Sequence, residues 1–396
     1  MNYKTFIIKY AEIGTKGKNR YVFEDILCHR MRQRLKPLGE FTVKRDYGRI
    51  YVTTKQDEYD YDEMMRRLTK IFGITGVCPV SEVKEITYEN IASALVEYVD
   101  SEYNDKNFSF KMHVRRNNKT FPINSMEMDA KLGGELLDKF ESEGLHVDVH
   151  KPDVKIEVEI REKVYIYSKI IPGPGGLPVG TNGRAISLLS GGIDSPVATY
   201  MIAKRGVEME AVYFNAPPYT SERAKDKVKK LGTIVSQFAG PIKLNIVNFT
   251  EIQLAIYDNC PHDELTIIMK RFMFRVAEDL AKRDDCQCIV TGESIGQVSS
   301  QTTQSLMVIN DAVSDIPVFR PLIGMDKQEI IEVSKAIDTY ETSILPYEDC
   351  CTIFVAKHPV TKPKLEQILK SEEKLKDIIE PLYEKAMNEI ETVYLK

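Results

Sequence analysis

One turn restricts this chain more than any other stretch. Residues 185–206 read AISLLSGGIDSPVATYMIAKRG: an apolar run ends at Leu189, and Ser190-Gly-Gly-Ile-Asp-Ser195 follows directly. Helical periodicity then starts at once, with Pro196 in the first turn. A strand entering a helix through such a turn aims backbone N–H groups and a helix N-terminus at one spot, an arrangement suited to phosphate. Gly191 and Gly192 are expected to supply left-handed geometry and close approach. Ser190 and Ser195 would add hydroxyl donors, and Asp194 would hold Mg²⁺ or cap the helix. A GxxxxGK[ST] loop carries a lysine for chemistry at the γ-phosphate. Here no lysine occurs before Lys204. The turn therefore suits gripping pyrophosphate as a leaving group while the α-phosphate is attacked. A ligand-free Gly-rich turn with a Ser/Asp cap is the plainer alternative, but all six residues in this setting favour a nucleotide.

The clearest boundary is Ile171-Pro-Gly-Pro-Gly-Gly-Leu-Pro-Val-Gly-Thr-Asn-Gly183, where no helix or strand is expected to persist. Before it, a strand at 3–10, a helix at 19–35 and a hairpin at 41–54 suit a small α+β module over 1–57. A second module over 58–171 has helices at 59–70, 88–102 and 124–142, with strands at 108–115, 154–160 and 163–170. A linker covers 172–183. From 184 to 396, strands near 185–189, 207–214, 242–249 and 287–291 alternate with helices near 195–205, 221–238 and 263–283. That alternation predicts a doubly wound parallel sheet with ligands at the carboxyl ends of its strands. The tail, 364–391, reads as charged helix.

A chain of 396 residues exceeds one compact core, in line with this division. No apolar run reaches membrane-span length and the start lacks a signal peptide, so a cytoplasmic protein without membrane contact is expected. Seven scattered cysteines make no disulfide framework, and the absence of CxxC argues against zinc. Five of them read as buried thiols. The adjacent pair Cys350-Cys351 stands apart. Net charge is −5, yet residues 1–50 hold 12 Lys/Arg against 5 Asp/Glu. Positive charge at the N-terminus suits docking of a polyanion, and from charge alone a solvated lysine-rich face accounts for it equally well.

The turn resembles that of the PP-loop (ATP pyrophosphatase) superfamily, which adenylates carbonyl oxygens. Other stretches narrow the resemblance: Ala211-Val-Tyr-Phe214 with Asn-Ala-Pro-Pro-Tyr-Thr-Ser-Glu-Arg223, Thr291-Gly-Glu-Ser-Ile-Gly-Gln-Val-Ser-Ser-Gln-Thr302, Arg320-Pro-Leu-Ile323, Asp326-Lys327, and Glu348-Asp-Cys-Cys351. Together they resemble the tRNA 4-thiouridine synthetase (tRNA sulfurtransferase) family over nearly the whole chain. Phe110-Lys-Met-His-Val-Arg-Arg-Asn-Asn-Lys-Thr-Phe-Pro122 and Lys131-Leu-Gly-Gly134 resemble a THUMP domain, an RNA-binding module that follows a ferredoxin-like domain in this family. Lys111, Arg115, Arg116 and Lys119 would lie on a strand end and loop where they reach phosphates, with shape rather than bases being read.

The resemblance implies that ATP adenylates O4 of uridine 8 in tRNA and that persulfide sulfur then displaces AMP. By position, Leu188 and Leu189 would contact the nucleotide through backbone. Ser190, Gly191, Gly192, Asp194 and Ser195 would hold phosphates. Tyr213 and Phe214 would sit at the base, with Gly292 and Gln301 closing the pocket. Lys270 or Arg271 would contact phosphate. Neighbours on a helix point about 100° apart, so only one can face the site, and Lys270 is favoured. Cys351, or its neighbour Cys350, would carry the persulfide. Some members add a rhodanese domain with a second cysteine; no cysteine follows Cys351 here. A cysteine desulfurase would then load one of the existing cysteines, and Cys260 is a weak candidate for a partner thiol. The family is also linked to thiamine thiazole synthesis through a sulfur-carrier protein. A homodimer would let one subunit dock tRNA while the other acts on it. The rival readings are a PP-loop adenylating ligase acting on another carbonyl substrate, and a non-catalytic RNA-binding protein with a vestigial loop.

Overall fold

The computed structural model describes residues 3–46, 48–347 and 358–396. It divides into two compact units, Met1–Gly175 and Gly176–Lys396. The first unit begins with β1 (Thr5–Lys9), α1 (Arg20–Leu35), β2 (Phe41–Asp46), β3 (Arg49–Thr54), α2 (Tyr61–Leu68) and β4 (Gly76–Val83), a ferredoxin-like order. It continues with α3 (Tyr88–Glu102), β5 (Ser109–Arg116), α4 (Ser125–Phe140), β6 (His146–Val147), β7 (Val154–Ile160), β8 (Val164–Tyr167) and β9 (Ile171–Pro172). The helices start where the sequence offers caps: Asp60, Thr87 and Asn124 each accept the backbone N–H three residues on. Leu27, Met31 and Leu35 of α1, and Leu132, Leu136 and Phe140 of α4, recur at helical spacing and are buried.

β4 serves both halves of this unit. Its first residues pair antiparallel with β1, from Thr5↔Val80 to Lys9↔Gly76. Its last residues pair with β8, from Ser81↔Ile166 to Val83↔Val164. The sheet order is β2-β3-β1-β4-β8-β7-β5-β6, and β9 also pairs with β4. Side chains tie the two halves further: the Tyr51 and Tyr165 rings lie 5.2 Å apart, and Arg49 makes a 2.9 Å ion pair with buried Glu159. No strand is apparent from the residue pattern at 76–83, because Pro79 interrupts the run and nearly every residue of it is buried, which removes the alternation.

The second unit holds β10 (Arg184–Leu188), α5 (Asp194–Ala203), β11 (Glu208–Asn215), α6 (Glu222–Ala239), β12 (Ile242–Asn248), α7 (Thr250–Asn259), α8 (Leu265–Arg283) and β13 (Cys288–Val290). Then come α9 (Thr303–Asn310), β14 (Val318–Phe319), α10 (Lys327–Ala336), α11 (Tyr340–Ser343), α12 (Leu365–Glu372), α13 (Lys376–Asn388) and β15 (Glu391–Leu395). The sheet order β14-β13-β10-β11-β12-β15 is parallel apart from β15, which runs antiparallel on β12. This is the doubly wound α/β sheet expected, with two corrections. The chain end is not all helix, since Leu395 is buried and its strand covers an edge. The Pro/Gly segment is not free of strand either: Ile171 and Pro172 pair with β4, and Leu177, Thr181 and Asn182 donate to the carbonyls of Lys204 and Gly206.

Candidate active site

The turn after β10 is held by its own hydroxyls. Ser195 Oγ accepts the Ser190 N–H at 2.8 Å and lies 3.1 Å from Ser190 Oγ, which accepts the Gly192 N–H at 3.3 Å. One turn into α5, Thr199 pairs with Ser187 of β10 at 2.7 Å, fastening helix to strand. Two expectations fail here. Neither Gly191 nor Gly192 has positive φ, so the turn does not use left-handed geometry there, and a Cβ on Gly192 would meet only Ser190 Oγ, at 3.5 Å. Asp194 does not cap α5. Its carboxylate instead accepts Lys327 Nζ at 2.8 Å and Gln297 Nε2 at 3.0 Å.

A cleft opens over this turn at the carboxyl ends of β10, β11 and β13. Leu188, Leu189, Ser190, Asp194, Ser195, Tyr213, Phe214, Lys270, Gly292 and Gln301 all line it, together with Met273, Phe274, Thr291 and Glu293. The family resemblance implied those first ten at one site, and the fold brings them together, while Gly191 and Gly192 are not among the lining residues. Apolar rings flank one part of the cleft, where Phe214 meets Phe249 edge-on at 5.3 Å. Gln301 Oε1 is buried with no hydrogen-bond partner among the described residues, an acceptor left for a ligand. Gly292 is a glycine for close approach: a Cβ there would stand 2.8 Å from Ser195 N and from Asp194 C.

Arg271 is not in the cleft. It is 1% exposed, and its guanidinium bonds Glu372 at 2.8 Å, Asp311 at 3.1 Å and the Val308 carbonyl. Lys270, its neighbour on α8, faces the cleft and bonds Glu293 at 3.1 Å. Burial acts to raise the Glu293 carboxyl's pKa, but Lys270 and Arg320 outweigh it and hold it below the ordinary carboxylate value. Glu293, Arg320 and Lys327 fall inside the motif stretches, yet their residue types alone assign them no role. Asp326 explains itself as the capping-box residue of α10, with Glu329 reciprocating.

Cys350 and Cys351 lie outside the described residues. The chain leading to them is anchored beside the turn, with Ser343 Oγ donating to the Gly192 carbonyl at 3.4 Å and Lys227 Nζ to the Leu345 carbonyl at 2.8 Å. The other five cysteines are buried and free. Cys260 is no accessible partner thiol: burial pushes it up to about 11, and its Sγ donates to the Ser371 carbonyl. In the first unit, Arg115 and Lys119 are exposed. Lys111 donates to the Val149 carbonyl at 3.0 Å, and Arg116 is spent on the carbonyls of Phe121 and Ile123, shaping the loop.

Three family models match this chain: the ThiI ferredoxin-like domain over residues 5–78, the THUMP domain over 85–169, and Thiamine biosynthesis protein (ThiI) over 180–376. A probable tRNA sulfurtransferase of Lachnospira eligens is 57% identical over 396 residues, the whole of both chains. The chain belongs to the tRNA sulfurtransferase family. Another sulfurtransferase relative, from Agathobacter rectalis, is 56% identical over 99% of this chain and 98% of its own. The fold of this sulfurtransferase-family chain matches that of a 4-thiouridine synthetase solved as an RNA complex with bound ATP. The TM-score is 0.90 at 37% identity over the whole of both chains. PH1313 from Pyrococcus horikoshii Ot3 matches at TM-score 0.66 and 26% identity, over 85% of this chain and 99% of its own. No helix among the described residues is long and apolar enough to cross a membrane.

Proposed function

We propose that this chain binds ATP in the cleft over Ser190–Ser195, adenylates O4 of uridine 8 in tRNA and replaces that oxygen with sulfur. One observation carries the reading: the hydroxyl-braced turn, Lys270, the Tyr213–Phe214 wall and the unpartnered Gln301 acceptor share one cleft, in a chain alike over its full length to a synthetase solved with ATP and RNA. The turn's N–H groups and Ser190 and Ser195 hydroxyls hold the phosphates, while Lys270 balances charge on them. The Gln301 acceptor suits an amino group such as that of adenine. O4 attacks the α-phosphorus and pyrophosphate leaves. Terminal sulfur of a persulfide on Cys351 or Cys350 then attacks C4 and AMP leaves. A second thiol, of this chain or of the donor, cuts the remaining sulfur–sulfur bond.

Mg²⁺ fits this site. Among the described residues no three His, Cys, Asp or Glu side chains gather to hold a metal, but a hard cation riding on phosphates and water needs only one or two carboxylates. Asp194 supplies one at the turn, and the ion would there neutralise charge on departing pyrophosphate. Docking of tRNA is assigned to the THUMP module through Arg115 and Lys119, with Lys111 and Arg116 shaping the strand and loop. A cysteine desulfurase supplies the sulfur, the protein works in the cytoplasm, and a homodimer places one subunit's docked tRNA in the other's cleft. Sulfur transfer to a carrier protein for thiamine synthesis belongs to the same reading. The test is mass analysis of tRNA nucleosides after incubation with ATP, Mg²⁺, cysteine and a cysteine desulfurase, which passes its persulfide sulfur to this chain. Four-thiouridine at position 8 supports it; pyrophosphate release that ignores unmodified tRNA sinks it and favours a ligase for another carbonyl. A Cys350→Ser/Cys351→Ser double variant that thiolates tRNA at the wild-type rate would remove the sulfur-carrier role.

A further inference from the structure

In the cleft wall lies a charge cluster that the turn itself does not account for. Glu293 follows Gly292 at the end of β13 and is almost wholly buried. Its Oε1 accepts Lys270 Nζ at 3.1 Å, and its Oε2 accepts Arg320 Nε at 2.9 Å and the Thr291 hydroxyl at 3.2 Å. Arg320 extends the cluster to Asn310 Oδ1 at 3.1 Å, and keeps a buried Nη2 without a hydrogen-bond partner among the described residues. Two cations around one carboxylate leave the cluster with a net positive charge next to the cleft. That surplus charge is what an anionic ligand completes.

The backbone fixes where this charge stands. Gly292 is pressed so closely onto the start of α5 that a Cβ would meet Ser195 N and Asp194 C at 2.8 Å. Glu293 is the next residue, so its backbone is indexed to the turn, and Arg320 and Thr291 hold its carboxylate in place. Lys270 comes from a different element, α8, and lysine has four rotatable bonds and no preferred geometry of its own. A buried carboxylate on the rigid side therefore decides where the flexible ammonium sits.

We propose that Glu293 is a positioning residue for ATP: it holds the Lys270 ammonium at a set place over the phosphate-binding turn, with Arg320 as its counterweight. The role rests on the ATP reading of the cleft, and it names a residue that acts through Lys270. Removing the carboxylate leaves two half-buried cations to repel each other and frees Lys270 to turn from the cleft. Binding of ATP then has to order that side chain anew.

The test is direct titration of the full-length chain with ATP and Mg²⁺, without tRNA, for wild type, Glu293→Gln, Lys270→Met and the double variant. Glu293→Gln is expected to weaken ATP binding about tenfold or more, the size of one charge-assisted hydrogen bond, and to add nothing in the Lys270→Met background. Should Glu293→Gln not fold by its thermal melt, Glu293→Asp decides, since it keeps the charge but draws it back from Lys270. A weakened affinity with a native melt supports the role. Wild-type affinity in a folded Glu293 variant, or losses that add fully with Lys270→Met, overturn it, as does a wild-type chain that binds no ATP. A chain that binds ATP in this pattern but releases no pyrophosphate with tRNA sinks the sulfur-transfer reading and leaves Glu293's role standing.

Discussion

Lys327 Nζ lies 2.8 Å from Asp194 Oδ1, joining the first residues of α10 and α5 across 133 positions of sequence. Both side chains keep access to solvent, at 44% and 24% exposure. Such a pair contributes about 0–1 kcal/mol to stability, so it is poorly explained as a brace. On the proposed ATP reading, a lysine and a carboxylate meeting at the rim of the Ser190–Ser195 turn are better placed to handle a triphosphate. Lys327→Met is expected to leave the thermal melt near that of wild type. It should lower tRNA-dependent pyrophosphate release at least about tenfold, the effect of removing one donor aimed at developing charge. Loss of fold without loss of rate per folded molecule would count against this.

Arg271 should behave in the opposite way. Its guanidinium is buried against Glu372 and Asp311, so Arg271→Met takes a partner from both carboxylates, leaving Glu372 with Arg275 alone. Breaking a buried pair costs about 3–5 kcal/mol, and chemical denaturation should show a loss of that order. Asp311 is 41% exposed and regains water, which places the figure at the lower end. ATP affinity of the folded fraction should be unchanged, because no part of Arg271 lines the cleft.

Gly292→Ala adds one methyl group where backbone already fills the space. Overpacking of this kind costs about 1–3 kcal/mol when the neighbours must shift, and here the neighbour is the start of α5. Weaker ATP binding by titration is the expected outcome, with a smaller change in the melt. Wild-type affinity would mean that the phosphate-binding turn tolerates displacement.

RNA affinity of the first unit should fall as salt rises. Lys119→Ala and Arg115→Ala are each expected to lower the slope of log affinity against log salt by roughly 0.7–0.9 for every phosphate the side chain neutralises. Arg116→Ala should instead disturb the 117–124 loop, whose carbonyls it holds, and show as local loss of hydrogen-exchange protection.

Acid should loosen the cleft through Glu293. Its folded pKa lies below the ordinary carboxylate value, so its contribution is present above the unfolded pKa of about 4.3 and is lost as pH falls through the folded one. Urea midpoints measured downward from pH 5 should therefore drop less steeply for Glu293→Gln than for wild type. Parallel curves would show that the buried carboxylate stays ionised in both states.

Much of this was legible in the sequence because the signals are local. Apolar runs, caps and turn residues located α1, α3, α4, α5, α6 and α8 to within a few residues, with the Ser190–Ser195 turn between β10 and α5. β4 escaped because a strand buried on both faces and broken by Pro79 has lost the period that marks strands. β15 escaped because five residues after a charged helix acquire strand character only through pairing with β12.

By itself, the sequence determined most of the helices, the place of the Ser190–Ser195 turn between strand and helix, and the fact that Lys270 and Arg271 cannot both face one site. Only the tertiary structure decided which of them does, because the carboxylates that claim Arg271 stand 40 and 101 residues away. The same holds for Glu293 beside Lys270 and for Lys327 beside Asp194. Helical and strand periods report which face a side chain takes; which charge awaits it there depends on chain segments brought together by folding.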